Sequence, residues 1–550
     1  MNRREVLLLV GGAALVGGAL KLSDSKAQTD HPRTTAGEPV RAWADKAEAL
    51  MPELFEVEQY PVRIVRAVAD PRSPLRFRMD LEAPAESLAQ RVLKKGDVII
   101  VDFEGHRTGY LAFRLETEGR EPDAPARLRF TFGEVPTDVA EPFYPYKGEL
   151  SSAWLPDETV NIDFLPRAVR MPRRYAFRYV KIEVIDTSPG FGVRFAELKA
   201  HAVTSARSMP QPLSGETELM RRIDHVSLAT LRDCMQTTFE DGPRRDQRLW
   251  VGDLRLQALT NYATFKQNDV VQRCLYLFAA FPRDDGLIAA CVYEKPKARY
   301  GGIHIVDYAA LFNVALRDYV HATGDLETGR DLWPAAKRQL ELLGGDINAE
   351  GLYVDPKNTW IFIDWSNELD RNAAIQGVLI YAYKATVELA RRIGSEADAA
   401  EYAALIPKMI AAGRKHYWNQ QRGVFLSGAK QQLSWASQAW MAIAGVATRQ
   451  ESAHAIRVAI ADAQAIKPVT PYLYHYVIEG MLAGGLKNEA RALLESYWGG
   501  MVQAGADTFW EIYDPAQPLS SPYGDIHINS YCHAWSCTPS YLLRSGLLRV

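Results

Sequence analysis

The sequence runs to 550 residues, too long for one hydrophobic core, so two or more domains are expected. Apolar residues make up 47% and the formal charge is −3, which fits a soluble globular protein and gives no electrostatic basis for a nucleic-acid partner. Cys234, Cys274, Cys291, Cys532 and Cys537 form no C-x-x-C pair and no His/Cys cluster with zinc spacing, so no metal or cofactor is called for and buried free thiols are expected.

Arg3 and Arg4 precede an uncharged run from Val6 to Leu20, and Ser25-Lys26-Ala27 offers a small-x-small cleavage site. The run is shorter than the roughly 20 residues that span a bilayer. Residues 1–27 therefore read as an export signal, with the paired arginines pointing to twin-arginine export. The expected location is periplasmic or secreted, with no stable membrane insertion after cleavage; an uncleaved anchor is the competing reading. Residues 28–60 are polar, then loosely helical over 42–54, and read as a leader that packs on a later domain. From 61 to 205 the pattern is β-rich, with strands expected over 97–103, 111–116, 127–132, 177–185 and 194–203, separated by Gly, Pro and Asp turns. Such punctuation argues for a β-sandwich with a structural role.

From 206 to 550 the period becomes helical. Helices are expected near 215–235, 253–265, 269–281, 304–322, 328–343, 371–394, 396–420, 433–447, 449–463, 472–485, 487–502 and 531–545. Twelve helices suit six hairpins closed into an (α/α)6 barrel, with inner helices apolar nearly all round. Its site is expected in the loops at one end of those inner helices, so 239–253, 353–371, 504–514 and 522–535 should converge.

Each of those loops carries similar chemistry. The first contains Glu240, Asp241, Arg244, Arg245, Asp246, Arg248 and Trp250, and Asp253 is expected to cap the following helix. The second holds Trp360, Asp364 and Trp365, the third Asp507, Trp510 and Glu511, and the fourth Asp525, His527, His533 and Trp535. Charged loops are commonly solvated faces. Aromatics beside carboxylates in all four favour a polar sugar site instead, since a sugar is apolar on its ring faces and polar at its edges.

With these residues in view, the chain resembles the α-L-rhamnosidases of glycoside hydrolase family 78, an (α/α)6-barrel family with accessory β-sandwiches. Asp241-Gly242-Pro243-Arg244-Arg245-Asp246-Gln247-Arg248-Leu249-Trp250-Val251-Gly252-Asp253 resembles the family's D-C-P-Q-R-(D)-E-R-L-G-W-T-G-D run. Ile363-Asp364-Trp365 resembles a later G-D-W element, 505–511 resembles G-A-T-T-I-W-E, and His533 to Pro539 resembles an H-x-x-x-x-x-P-like segment. The resemblance covers about 206–550, and the strand region resembles the β-domain that precedes the barrel in that family. It implies an inverting hydrolase with Glu511 as the base. The family's acid falls on Asp246 or Gln247 according to where a gap lies; a glutamine cannot donate a proton at neutral pH, so Asp246 is assigned. The resemblance also implies that Asp241 and Asp253 hold sugar hydroxyls and that Trp250, Trp365 and His533 line the pocket. Arg245, Asp364 and Trp510 complete the expected substrate-binding set. Many relatives continue into a C-terminal β-domain, so its substrate contacts are expected to be absent here.

The reading is thus an exported glycosidase that removes terminal α-L-rhamnose, or a related deoxy-sugar, from a glycan or glycoside. Arg244, Arg245 and Arg248 extend the expected partners to an acidic glycan, unless they only neutralise the carboxylates. A polysaccharide lyase or other six-hairpin glycosidase acting next to a uronate, and a non-catalytic glycan-binding protein, are the alternatives.

Overall fold

The computed structural model describes residues 40–356 and 359–549; the expected signal at 1–27 and the first part of the leader lie outside them. A short helix, α1 (Arg41–Ala49), packs against α5 (Asn268–Ala280) and is pinned there by Val40 N–H on Ala280 and by the Lys46–Asp331 ion pair at 2.6 Å. The chain then enters a β-domain inside the expected leader: β1 (Phe55–Gln59) pairs with the last strand, β9 (Phe191–Thr204).

Between them run β2 (Arg63–Ala69), β3 (Phe77–Pro84), β4 (Val98–Gly119), β5 (Ala126–Gly133), helix α2 (Pro136–Ala140), β6 (Asp157–Ile162), β7 (Arg167–Arg170) and β8 (Tyr175–Asp186). The two strands expected at 97–103 and 111–116 are one. Between Asp102 and Arg107 the register shifts but the strand continues: β4 pairs with β2 up to Asp102 and with β8 on both sides of the shift as far as Gly109, then with β9 and β7 beyond. That crossing builds the β-sandwich. In β5, Leu128, Phe130 and Phe132 point inward with no exposed surface while Arg127 and Arg129 face out, the period-2 signature of a half-buried strand. Each fully buried ring contributes roughly 1.5–3 kcal/mol, and Phe113 and Phe130 stack at 5.1 Å in this core.

Twelve α-helices follow among the described residues: α3 (Glu218–Cys234), α4 (Val251–Ala263), α5, α6 (Val306–Thr323), α7 (Leu326–Gly344), α8 (Asn372–Ile393), α9 (Glu396–Tyr417), α10 (Trp435–Ile443), α11 (Arg449–Ala461), α12 (Pro471–Ala483), α13 (Lys487–Gln503) and α14 (Pro539–Arg544). Even-numbered helices form an inner ring: α4 packs on α6, α6 on α8, α8 on α10 and α10 on α12. A helical turn at Ala534–Ser536 closes the ring between α12 and α4. Their burial follows this order. α12 is buried nearly throughout, whereas outer α9 buries only Ala399, Tyr402, Met409, Ala412 and Gly413. This is the (α/α)6 barrel expected from the helical period.

Two helix boundaries differ from expectation for reasons that bear on the site. The helix expected over 531–545 is only α14: Pro539 can start a helix but not continue one, and 531–538 spends its backbone N–H groups elsewhere, His533 on Phe509 and Ala534 on Asp241. α4 begins at Val251 with extended Trp250 as its cap, so Asp253 sits in the first turn rather than capping it. All five cysteines are free and buried, with the sulfurs of Cys234 and Cys532 3.9 Å apart. Among the described residues no helix is long and apolar enough to cross a membrane.

The β-domain and the barrel share a seam of buried charges. Arg174 of the β-domain donates to both carboxylate oxygens of Glu240 at 2.8 and 2.6 Å. Arg244 donates to Asp138 at 2.8 and 2.9 Å and to the carbonyl of His527 at 2.8 Å. Burial pushes the Asp138 carboxyl up, but Arg244 and His527 outweigh it and hold the group below its ordinary value. Glu134 accepts the N–H of Tyr531 at 2.8 Å, and His106 bridges Glu134 and Asp233 at 2.9 and 2.6 Å.

Candidate active site

The loops converge at the N-terminal mouth of the inner helices. There a cavity is lined by Asp241, Arg245, Asp246, Trp250, Asp253, Ile305, Tyr308, Trp360, Phe362, Trp365, Glu511, Tyr523, His533 and Trp535.

The loop 241–250 is shaped by its own hydrogen bonds. Asp241 and Arg248 close it, with Asp241 N–H on the Arg248 carbonyl at 3.0 Å and Arg248 N–H on the Asp241 carboxylate at 3.2 Å. Inside the bend, Asp246 and Gln247 both adopt left-handed backbone angles, φ 56° and 50°. Two such residues in succession cost of order 1 kcal/mol each, a strain that clusters at functional sites. Gln247 turns back onto its own loop, its side chain donating to the Pro243 carbonyl at 2.9 Å, while Asp246 faces the cavity. Gly252, at the start of α4, lets Tyr308 close in: a Cβ there would meet the ring at 2.4 Å.

Glu511 is the most firmly held carboxylate in the cavity. Arg245 donates to one oxygen at 2.5 Å, Tyr523 donates its hydroxyl to the other at 2.5 Å, and the Ser530 N–H adds a contact at 3.3 Å. The same guanidinium lies 4.4 Å from the Tyr523 ring centre and 3.7 Å from Asp246. Asp241 and Asp253 have no cation of their own. Burial pushes both carboxyls well up, reinforced by Asp246 and Asp253 on Asp241 and by Glu511 on Asp253. Burial, with Arg245 adding to it, pushes His533 well down, so a neutral imidazole stands 3.6 Å from Asp253. A neutral imidazole both donates and accepts, and a carboxyl oxygen accepts, as sugar hydroxyls require.

The aromatic wall comes from three elements. α6 supplies Tyr308, and its Asp307 carboxylate accepts the N–H groups of Phe362 and Ile363 at 2.9 and 3.0 Å, fixing the segment that carries Trp360, Phe362 and Trp365. Trp535 lies nearly parallel to Phe362 at 5.9 Å and 4.2 Å from His533. Four buried polar atoms of this lining have no hydrogen-bond partner: the indole nitrogens of Trp250 and Trp365, one Asp253 oxygen and Nδ1 of His533. Buried polar atoms are normally satisfied, so a cluster of exceptions in one cavity points to a polar ligand.

Asp241, Arg245, Asp246, Trp250, Asp253, Trp365, Glu511 and His533 are thus brought together, but Asp364 and Trp510 are not. Asp364 accepts from Val469 N–H at 2.7 Å and the Thr470 hydroxyl at 2.6 Å, fastening the start of α12, and burial pushes its carboxyl up to about 6. Trp510 packs on Tyr513 and Tyr531 with 1% of its surface exposed. Sequence reasoning missed Tyr308, inside an apolar helix, and Tyr523, ahead of a Gly turn. Among the described residues no group of three or more His, Cys, Asp or Glu side chains is arranged to hold a metal ion.

Comparison with known proteins decides the family. Residues 61–202 match the glycosyl hydrolase family 78 alpha-rhamnosidase N-terminal domain, and 212–547 match the bacterial alpha-L-rhamnosidase six-hairpin glycosidase domain. The chain belongs to the α-L-rhamnosidases of glycoside hydrolase family 78. Its fold is similar to that of a rhamnosidase from Klebsiella oxytoca solved with rhamnose bound, 43% identical with a TM-score of 0.90 over 92% of this chain and 99% of that one. The family 78 rhamnosidase of Bacillus sp. GL1 (23% identity, TM-score 0.69) and the Streptomyces avermitilis α-L-rhamnosidase complexed with L-rhamnose (16%, 0.65) share the fold. The matches cover 85% and 90% of this chain, which spans 49% and 44% of theirs. A search of curated protein sequences found no match. Membership makes the chain a glycosidase and displaces the lyase and non-catalytic readings.

Proposed function

We propose that the chain is an exported α-L-rhamnosidase that cleaves terminal α-L-rhamnosides with inversion. The observation that carries this is the cavity itself, where unsatisfied indole, carboxyl and imidazole atoms stand beside the three further carboxyl groups of Asp241, Asp246 and Glu511. The Klebsiella relative, solved with rhamnose, supports the choice of sugar. Glu511 acts as the base: Arg245 and Tyr523 fix both its oxygens in place, leaving lone pairs to take a proton from water as that water attacks C1. Asp246 acts as the acid and protonates the departing glycosidic oxygen, so that the C1–O bond breaks as the C1–OH bond forms. Asp241, Asp253 and His533 hold the sugar hydroxyls and Trp250 and Trp365 its faces. Export rests on Arg3, Arg4 and the run to Leu20, and fractionation of cells expressing the chain with and without residues 1–27 tests it.

An aryl α-L-rhamnoside followed by NMR tests the chemistry. The first-formed sugar is expected to be the β-anomer; an α-anomer appearing first overturns inversion. In Asp246→Asn the loss should grow as the leaving group becomes poorer, because an aryl oxygen needs little protonation. A loss independent of the leaving group removes Asp246 from the acid role.

A further inference from the structure

The arginines flanking the cavity fall into two kinds. Arg244 and Arg245 are buried against carboxylates, Asp138 and Glu511, which excludes two of the three side chains expected to grip an acidic neighbour. Arg248 differs. Its guanidinium sits over the Tyr293 ring at 4.3 Å, and Arg299 sits over the same ring at 4.6 Å. The arrangement follows from a small three-stranded sheet in which β10 (Leu249–Trp250) pairs with β11 (Cys291–Tyr293), and β11 with β12 (Arg299–Tyr300), so that Tyr293 and Arg299 are cross-strand partners.

A ring holds a guanidinium in place without neutralising it, whereas a carboxylate does both. Arg299 donates to the Lys295 carbonyl at 2.6 Å, and among the described residues none of Arg299, Lys295 and Lys297 is in a contact ion pair. The acid in the same turn is engaged elsewhere: Glu294 accepts from Arg273 at 2.5 Å and from Thr237 at 2.6 Å. Lys295, Lys297 and Arg299 leave a strip of positive charge outside the cavity lining, and Arg248 at its inner edge meets a carboxylate, that of Asp246, only at 3.8 Å.

Its position gives it a role. Arg248 lies 3.8 Å from Asp246, which does line the cavity. The general acid must reach the glycosidic oxygen, so whatever that oxygen carries extends past Asp246 and over its neighbours. We propose that Arg248, Arg299 and the 295–297 turn form a leaving-group subsite for a carboxylate-bearing sugar, which makes the natural substrates rhamnosides of a uronate. This rests on Asp246 being the acid.

The test uses the full chain and three substrates: α-L-rhamnosyl-(1→4)-D-glucuronate, α-L-rhamnosyl-(1→4)-D-glucose and a neutral aryl rhamnoside. The uronate disaccharide should exceed its neutral twin in kcat/KM by about tenfold. In Lys297→Ala with Arg299→Ala the ratio should fall towards one while the aryl rhamnoside is cleaved as before. Equal kcat/KM for the two disaccharides in the native chain, or a ratio that survives in the double variant, overturns the subsite. If none of the three is cleaved, the parent reading fails instead. Calorimetry on Glu511→Gln then decides the subsite separately: tighter binding of the uronate disaccharide supports it, and equal affinity overturns it.

Discussion

The seam between the two domains and the cavity beside it are built from the same residue types and reach opposite outcomes. In the seam, Glu134, Asp138 and Arg244 are buried and each finds a hydrogen-bonded partner of opposite charge or a backbone group. In the cavity, Asp253 and His533 are as well enclosed and Trp250 and Trp365 are half-buried, yet each keeps a buried polar atom with no partner. Polar atoms that the protein itself satisfies hold the fold in place; those left open in the cavity are available to a ligand. Partner count separates these two sets, although Glu511, held by Arg245, Tyr523 and Ser530, shows that a cavity group can also be fully partnered. The adjacent arginines show it most directly, since Arg244 faces the β-domain and Arg245 faces the carboxylate proposed as the base.

Removing a group from one side and then the other tests this contrast. The largest effect is expected for Glu511→Gln, which keeps the shape and loses the base: kcat should drop by roughly a thousandfold or more, with some loss of melting temperature because Arg245 is left buried beside a neutral amide. Near-native kcat would remove Glu511 from the base role. Next is Arg244→Met, which leaves Asp138 and Glu134 buried beside an apolar side chain; stability should fall by about 3–5 kcal/mol in denaturant titrations. A loss near zero would show the seam to be dispensable.

Asp364, fully engaged but by neutral donors, gives an intermediate effect that depends on pH. Its carboxyl is raised from 3.8 to about 6 in the folded chain, so between those values the folded state binds more protons than the unfolded. Its contribution is therefore full below about pH 4 and is lost as pH rises through about 6, a decline of roughly 3 kcal/mol. Asp364→Asn should flatten that part of the stability–pH curve, and an unchanged slope would assign it to other groups. The smallest effect on folding belongs to the cavity. Trp365→Phe deletes an indole N–H that bonds to nothing in the protein, so stability should change by no more than about 1 kcal/mol, whereas KM for an aryl rhamnoside should rise several-fold.

Much of this was legible in the chain because the period of the helices and the family-like run at 241–253 are local signals. The runs that form the inner helices are apolar nearly all round, and that alone predicts a ring. Direction was not legible. Asp364 and Trp510 have the composition of site residues, but whether a side chain in an irregular loop turns towards the cavity or towards α12 depends on partners a hundred residues away, such as Val469 and Thr470. Tyr308 lay hidden for the reverse reason, since a tyrosine in an apolar helix looks like core until the helix mouth is known to be the site. The seam left no sequence signal, because Asp138 and Arg244 meet only through the packing of two domains.

The backbone at 246 also bears on which amino acid can stand there. A left-handed residue is tolerated by aspartate and asparagine better than by most others, because a short polar side chain relieves the crowding that a longer one feels. The resemblance sets the family's glutamate against Asp246 or Gln247, and at 246 the bend suits the shorter acid. The two carboxylic acids are then not interchangeable spare parts. Grafting the longer one onto this bend would trade reach for conformational strain.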